Sequence, residues 1–186
     1  TAIEAMGRAD ARMVICDPRR AHLGRAAEEM TAAYAASSTA IAEALRALVT
    51  TMRERLPGAE VTPAQLAERS WWSGPDIYLV IDDLELVGEE HLREVIALLP
   101  HARDIGLHVV AARKFGGVAR AMFGGFLGAL KDTHPDVLIM DGTREEGALF
   151  GVKPKPQAPG RATLVQAGSV QGTVQLCAPY EEGASL

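Results

Sequence analysis

The sequence is poor in cysteine, in aromatic residues and in positive charge. It has two cysteines, 5% aromatic residues and a net charge of −5 over 186 residues. Cys16 and Cys177 have no neighbours at metal-ligand spacing, so we interpret both as small hydrophobic residues buried within strands. The acidic balance disfavours a large nucleic-acid footprint, and no apolar run reaches membrane-spanning length.

What remains is the composition of an ordinary globular domain. Apolar residues make up 48% of the chain and charged residues 23%, which suffices for one domain with a sizeable core. The N-terminus shows no signal-peptide pattern. We therefore expect a cytosolic domain, or the cytosolic part of a membrane protein whose anchor lies elsewhere.

The most informative segment is an apolar run that ends in two acids. Residues 77–83 read Ile-Tyr-Leu-Val-Ile-Asp-Asp. Continuous apolar strands are typical of parallel sheets that are covered on both faces, and ligands bind at the carboxyl ends of such strands. The segment favours a Walker B element, in which Asp82 and Asp83 approach Mg²⁺ on a phosphate chain. The alternative is a buried strand that ends in an acidic turn.

Hydrophobic periodicity elsewhere predicts alternating strands and helices. Strands are predicted at 11–16, 76–82, 107–112 and 137–140. Helices are predicted at 38–56, from Thr62 onward, at 89–99 and at 118–130, and residues 2–6 resemble the tail of a helix that Gly7 ends. Residues 161–166 and 173–178, around a turn at 167–169, predict a hairpin. Helices between buried strands imply crossover connections and a mainly parallel sheet.

Charged residues follow three of the predicted strands. They are Asp17 and Arg19, then Asp82 and Asp83, then Arg113 and Lys114. The carboxyl ends of parallel strands meet at one edge, so these side chains are expected to gather there. Acids beside cations suit a phosphate–Mg²⁺ site, with Asp17 and Arg113 as candidate nucleotide contacts. A salt-bridge network at the sheet edge is the competing interpretation.

A phosphate-binding loop is absent from the printed residues. No Gly-x-x-x-x-Gly-Lys-Ser/Thr sequence occurs among them. In a P-loop fold this loop precedes the first long helix, and the chain opens inside what looks like that helix. Either the loop lies upstream of residue 1, or the domain lacks it.

Several longer segments resemble one family. They are Asp-Pro-Arg-Arg at 17–20, Arg-Ser-Trp-Trp-Ser-Gly-Pro-Asp at 69–76 before the acidic-ended strand, Leu-Pro-His-Ala-Arg-Asp-Ile-Gly-Leu-His at 99–108, Gly-Thr-Arg-Glu-Glu-Gly at 142–147 and Pro-Gly-Arg at 159–161. Together they resemble the FtsK/SpoIIIE-type ATPase domains of EccC, the motor of type VII (ESX) secretion. The resemblance runs from about residue 1 to 178 and is greatest to the last of the tandem ATPase domains, and the short tail from Pro179 agrees with this.

The resemblance implies a RecA-like P-loop NTPase fold, formed as a single domain over 1–186, that uses ATP and Mg²⁺. Asp82 then organises the metal and Asp83 orients the attacking water. Many relatives carry Glu where Asp83 stands, and a side chain shorter by one methylene reaches less far as a base. Arg113 stands where translocases often carry a Gln that senses the γ-phosphate, and a cation accepts no proton. We therefore expect an ATPase with weak or conditional activity.

The resemblance also implies partners and a location. The expected function couples nucleotide binding or hydrolysis, and recognition of a substrate signal, to protein export. The expected partners are a secreted helical-hairpin substrate with a C-terminal signal peptide, and neighbouring ATPase domains or subunits. The expected location is cytoplasmic, at the bacterial inner membrane through other parts of the complex, with no nucleic acid bound. The alternative is a substrate-docking module on a degenerate ATPase scaffold.

Several large apolar side chains are candidates either for ligand binding or for core packing. Trp71 and Trp72 could stack on adenine or grip a peptide, although packing of a helix on the sheet is the more common role. Four residues could line a peptide groove or simply fill the core: Phe115, Met122, Phe123 and Phe126.

Overall fold

The computed structural model describes residues 10–177, apart from the side chain of Arg144. After Lys114 the chain passes from one compact unit into a second. The helix tail predicted at 2–6 and the tail from Pro179 lie outside the described residues. That all 186 residues act as a single ATPase domain stays a prediction.

The first unit is built on a parallel sheet. Its strands are β1 (Ala11–Cys16), β2 (Thr31–Ala35), β3 (Asp76–Ile81) and β4 (Leu107–Ala111). They lie in the order β2-β1-β3-β4, and each neighbouring pair is parallel. The predicted parallel sheet is thereby confirmed, with the acidic-ended strand in its interior.

β2 is a strand that the sequence pattern did not predict. It reads Thr-Ala-Ala-Tyr-Ala, and alanine favours helix over strand when taken alone. Its pairing with β1, which places Cys16 opposite Ala35, makes this segment a strand.

Between residues 10 and 114, three α-helices accompany this sheet: α1 (Ser38–Glu54), α2 (Pro63–Glu68) and α3 (Glu89–Ile96). Ser37 begins α1 by accepting a hydrogen bond from the Ala40 N–H, and the apolar face of α1 packs against β1, β2 and α3. Thr62 forms the predicted capping box at the start of α2. α3 ends at Ile96, before the predicted residue 99, and a short 3₁₀ turn containing Pro100 follows.

The second unit contains an antiparallel sheet in the order β5-β6-β7. Its strands are β5 (Val137–Ile139), β6 (Arg161–Gln166) and β7 (Ser169–Gln175). The predicted hairpin is confirmed as β6 and β7, although β7 begins at Ser169 rather than at residue 173. Its turn is Ala167-Gly168, and both residues have positive φ, as a two-residue hairpin turn requires. The predicted strand at 137–140 forms as β5, but it pairs antiparallel with β6.

Two predictions in this unit are wrong. The helix predicted at 118–130 is divided into α4 (Val118–Ala121) and α5 (Gly125–Asp132), and Gly125 has φ +58° where the chain turns. Cys177 is exposed and follows β7 rather than lying within a strand, whereas Cys16 is buried as expected. Burial raises the pKa of the Cys16 thiol to about 12.

None of the helices between residues 10 and 177 is long and apolar enough to cross a membrane.

Candidate functional site

The carboxyl ends of β1, β3 and β4 lie level with one another. Cys16 pairs with Ile81, and Ile81 pairs with Ala111. Backbone hydrogen bonds continue past the strands, because the Asp82 N–H donates to the Cys16 carbonyl and the Ala112 N–H donates to the Ile81 carbonyl. The predicted gathering of the three strand ends at one edge is therefore confirmed.

Asp82 is the first residue beyond β3, and its side chain is partly exposed at this edge. One of its carboxylate oxygens, Oδ2, lies 3.1 Å from Nε2 of His22. A carboxylate only accepts hydrogen bonds, so the His22 ring carries a proton on Nε2 in this contact. Asp82 is thus positioned by a side chain from the loop that follows β1.

Asp83 has a left-handed backbone, with φ 47° and ψ 57°. Asp is among the few residues that adopt this conformation readily, and such residues often occur at functional sites. Its Oδ2 lies 2.9 Å from Nε of Arg19, and its Oδ1 lies 3.9 Å from Nζ of Lys114. Two cations therefore face the carboxylate that the sequence suggests as the base.

Asp17 is fully buried at the end of β1. Its Oδ1 accepts the N–H of Ala21 at 3.1 Å, and its Oδ2 accepts the N–H of His22 and the hydroxyl of Tyr34, each at 2.7 Å. Burial alone would raise the pKa of the Asp17 carboxyl. The hydrogen bonds together lower the pKa by more than burial raises it, so the pKa lies below its usual value. That Asp17 contacts nucleotide stays a prediction, because both of its carboxylate oxygens accept hydrogen bonds from within the protein.

Arg113 lies two residues beyond β4, half-buried at the same edge. The adjoining Lys114 donates its backbone N–H to Oε2 of Glu85 at 3.4 Å. Oε1 of Glu85 is buried and accepts no hydrogen bond from the described residues. Besides Asp17, the carboxylates at this edge include Asp82, Asp83 and Glu85, and the cations include Arg19, Arg113 and Lys114.

The chemistry of this edge fits Mg²⁺ held together with a phosphate chain. Mg²⁺ prefers oxygen ligands and is commonly held by one or two carboxylates together with substrate phosphates. Asp82 and Asp83 supply that number of carboxylates, and the buried, unsatisfied Oε1 of Glu85 shows that the edge has acceptor capacity to spare. No cluster of three or more metal-ligating side chains occurs among residues 10–177.

Most of the other singled-out residues pack rather than line a site. Trp71 donates from Nε1 to the Arg55 carbonyl at 2.7 Å, and Trp72 stacks under the Arg55 guanidinium at 4.2 Å. Phe126 is fully buried and Met122 nearly so, which confirms core packing for both. Phe123 differs, because 88% of its surface is exposed.

Two residues of the site region were missed at the level of sequence. His22 contacts Asp82, and Tyr34 holds Asp17, yet neither belongs to a motif. The available signal was position: His22 comes five residues after Asp17, within reach of the same strand end. Tyr34 could not be found in this way, because β2 itself was not predicted.

The second unit has an open pocket of about 420 Å³. Its lining combines aromatic, aliphatic and charged residues, namely Lys131, Asp132, His134, Pro135, Phe150, Val165 and Gly168.

Comparison with known proteins gives a consistent result. EccC4 of the ESX-4 system of Mycobacterium tuberculosis is 43% identical over 172 residues, which cover 90% of this chain and 14% of that protein. EccC of Thermomonospora curvata is 41% identical over 175 residues, covering 92% and 13%. The chain thus spans about one-seventh of the length of these relatives. No protein-family profile matches it.

Two solved structures that the chain matches are also of EccC ATPases. The cytoplasmic domain of the type VII secretion ATPase EccC of Thermomonospora curvata matches with a TM-score of 0.90 at 35% identity, over 97% of this chain and 22% of that one. ATPases 2 and 3 of the same EccC, solved in complex with a signal sequence peptide, match with a TM-score of 0.87 at 38% identity, over 93% and 32%.

The chain has the P-loop NTPase fold. Its parallel sheet carries a carboxylate pair after an interior strand, and the solved structures that it matches include ATPase domains. Within that class, the chain belongs to the EccC family of ESX secretion ATPases.

Proposed function

We propose that this chain is an ATP-binding motor domain of a type VII (ESX) secretion system. It couples nucleotide binding or hydrolysis, and recognition of a substrate signal, to protein export. It works on the cytoplasmic side of the inner membrane, to which other parts of the complex attach it. The observation that carries the proposal is the Asp82-Asp83 pair at the carboxyl edge of a parallel sheet in an EccC relative.

In this proposal Asp82 holds Mg²⁺, directly or through its waters. A Mg²⁺ ion held there would supply positive charge to offset the charge that develops on the phosphates. Arg113 contacts phosphate or transmits its presence to β4. Asp17 acts by fixing the loop after β1, whose Arg19 and His22 reach the acidic pair.

Asp83 orients the attacking water. Its reach is limited by the shorter side chain and by the Arg19 contact at 2.9 Å, which occupies one carboxylate oxygen. We therefore expect slow or conditional ATP hydrolysis, whose rate depends on whether the contact between Arg19 and Asp83 is broken.

The test separates binding from hydrolysis in the full-length protein. We expect Asp83→Asn to lower the ATP hydrolysis rate by about 100-fold, since an amide cannot accept the proton of water, while Mg²⁺·ATP affinity changes little. Glu43→Gln, an exposed acid-to-amide change on α1, serves as the matched control. Undiminished hydrolysis in Asp83→Asn would remove the base from the proposal.

A docking module on a degenerate ATPase scaffold is the second candidate. It is favoured by the two cations that face Asp83 and by the exposed Phe123 ring, which offers an apolar contact to a peptide. The solved EccC of Thermomonospora curvata holds a signal sequence peptide, and we extend peptide recognition to this chain as part of the proposal.

Peptide titration distinguishes the candidates. Saturable binding of the C-terminal peptide of a secreted substrate, unaffected by nucleotide, favours docking alone, whereas affinity that responds to Mg²⁺·ATP favours the motor. We expect Phe123→Ala to weaken peptide binding, with Val170→Ala as the control because Val170 is also exposed and apolar. Equal affinity of the two variants would exclude Phe123 from the contact.

A further inference from the structure

The loop of residues 17–25, hereafter the clamp loop, contacts both acids of the pair. His22 reaches Asp82 at 3.1 Å, and Arg19 reaches Asp83 at 2.9 Å. One short segment therefore presents a separate basic side chain to each neighbouring carboxylate. This arrangement requires that the loop backbone be held in place.

The buried Asp17 carboxylate holds that backbone. It accepts the N–H groups of Ala21 and His22, and the Arg20 N–H donates to the Asp17 carbonyl at 3.1 Å. The Tyr34 hydroxyl, from β2, donates to the same carboxylate. Four hydrogen bonds from three parts of the loop and from a neighbouring strand thus converge on a residue that is fully buried.

The segment after the clamp loop is anchored by packing. Ala26 and Met30 lie against Met13, Ile15 and Val80 of the sheet. The clamp loop is therefore fixed by the Asp17 carboxylate at its start and by an apolar cluster beyond its end, with Arg19 and His22 between these two points.

We propose that the clamp loop positions the acidic pair, with His22 orienting Asp82 and Arg19 orienting Asp83, and that Asp17 and Tyr34 act on the pair through this loop. The proposal rests on the proposed function only where Mg²⁺ and nucleotide are concerned. The geometry of the clamp is a property of the ligand-free chain.

The expected direction of the effect follows from the atoms involved. His22 binds Oδ2 of Asp82, which fixes the direction in which Oδ1 points. Carboxylates that hold metals are commonly hydrogen-bonded in turn, and loss of that outer partner weakens metal binding about 10-fold to 100-fold. His22 is therefore a positioning residue whose removal lowers, rather than raises, the affinity for Mg²⁺.

The first test uses the full chain without ligand. We expect Asp17→Asn and Tyr34→Phe to move the ¹⁵N resonance of His22 Nε2 in the same direction as Asp82→Ala, although neither change touches the ring. Tyr34→Phe removes only one hydroxyl, so it keeps the test valid if Asp17→Asn fails to fold. A His22 resonance that moves in Asp82→Ala but stays unchanged in both Asp17→Asn and Tyr34→Phe would overturn the proposal.

The second test measures Mg²⁺-dependent binding of a fluorescent ATP analogue to the full-length protein. We expect His22→Ala to weaken this binding by about 10-fold, and His22→Gln, which keeps an N–H donor, to restore much of it. Asp17→Asn is expected to weaken binding alone but to add less than its full loss in the His22→Ala background, because the two changes share the contact between His22 and Asp82. Additive losses would contradict the proposal.

The control is Arg25→Ala, an exposed cation of the same loop that makes none of the described contacts with the acidic pair. It is expected to leave both readouts unchanged. If the unaltered protein binds no Mg²⁺·nucleotide, the proposed function fails, while the resonance of His22 still decides whether the clamp exists.

Discussion

Asp17 and Arg55 are both charged and both buried, and each is tied to backbone groups: Asp17 to its own loop and Arg55 to distant segments. Asp17 was expected at the nucleotide site because it follows a buried strand. Its position after β1 is correct, but its oxygens bind Ala21, His22 and Tyr34. A sequence shows that an acid follows a strand, whereas the direction of its side chain depends on loop backbone that has no periodic pattern.

The depressed pKa of Asp17 makes its contribution to stability depend on pH. The folded pKa lies below the usual 3.8, so the ionised carboxylate stabilises the fold at neutral pH. That contribution is lost as the pH falls through the folded pKa. We expect Asp17→Asn to lower the free energy of unfolding by about 2 kcal/mol at neutral pH, with the difference narrowing under acid.

Urea denaturation from neutral to acidic pH measures this effect. Tyr34→Phe removes one of the hydrogen bonds to the same carboxylate and is expected to cost about 1 kcal/mol. The role assigned to the charge would be refuted if Asp17→Asn and the unaltered chain differed in free energy of unfolding by the same amount from neutral to strongly acidic pH.

At the scale of elements, strand prediction succeeded where apolar residues follow one another in the sequence. β1 forms over the predicted residues 11–16, and β3 ends one residue before the predicted end. β2 was missed because Thr-Ala-Ala-Tyr-Ala has little apolar bulk, so only its pairing with β1 reveals it. The break between α4 and α5 was missed because apolar spacing continues across residues 122–124, while the backbone turns at Gly125.

Arg55 joins the end of α1 to the segments that precede β3 and β4. Its guanidinium donates to the Ile105 carbonyl at 3.1 Å and to the Pro75 carbonyl at 2.9 Å, and it stacks on Trp72. β3 and β4 are thereby fixed at the end of the sheet opposite to the acidic pair.

We expect Arg55→Lys to lower the free energy of unfolding by about 2 kcal/mol, since one ammonium cannot donate to both carbonyls while it stacks on the ring. Arg46→Lys, at an exposed position of α1, is the matched control and is expected to change stability little. Equal unfolding midpoints for the two variants in urea would contradict the role given to Arg55.

At the scale of the whole molecule, the chain belongs to the EccC family and spans a small part of the length of its relatives. The chain aligns with 14% of EccC4 and 13% of the Thermomonospora EccC, so activity, substrate and assembly are properties to test in the full-length protein. The printed sequence contains no phosphate-binding loop motif, and the described edge supplies carboxylates and cations alone.

The metal role of Asp82 is the part of the proposed function on which the other roles most depend. The measurement that tests it is the affinity of the full-length protein for ATP with and without Mg²⁺, in the unaltered protein and in Asp82→Ala. We predict that Mg²⁺ tightens ATP binding in the unaltered protein and that this gain falls by at least about 10-fold in Asp82→Ala, while Glu43→Gln keeps it. An equal gain from Mg²⁺ in the unaltered protein and in Asp82→Ala would contradict the account.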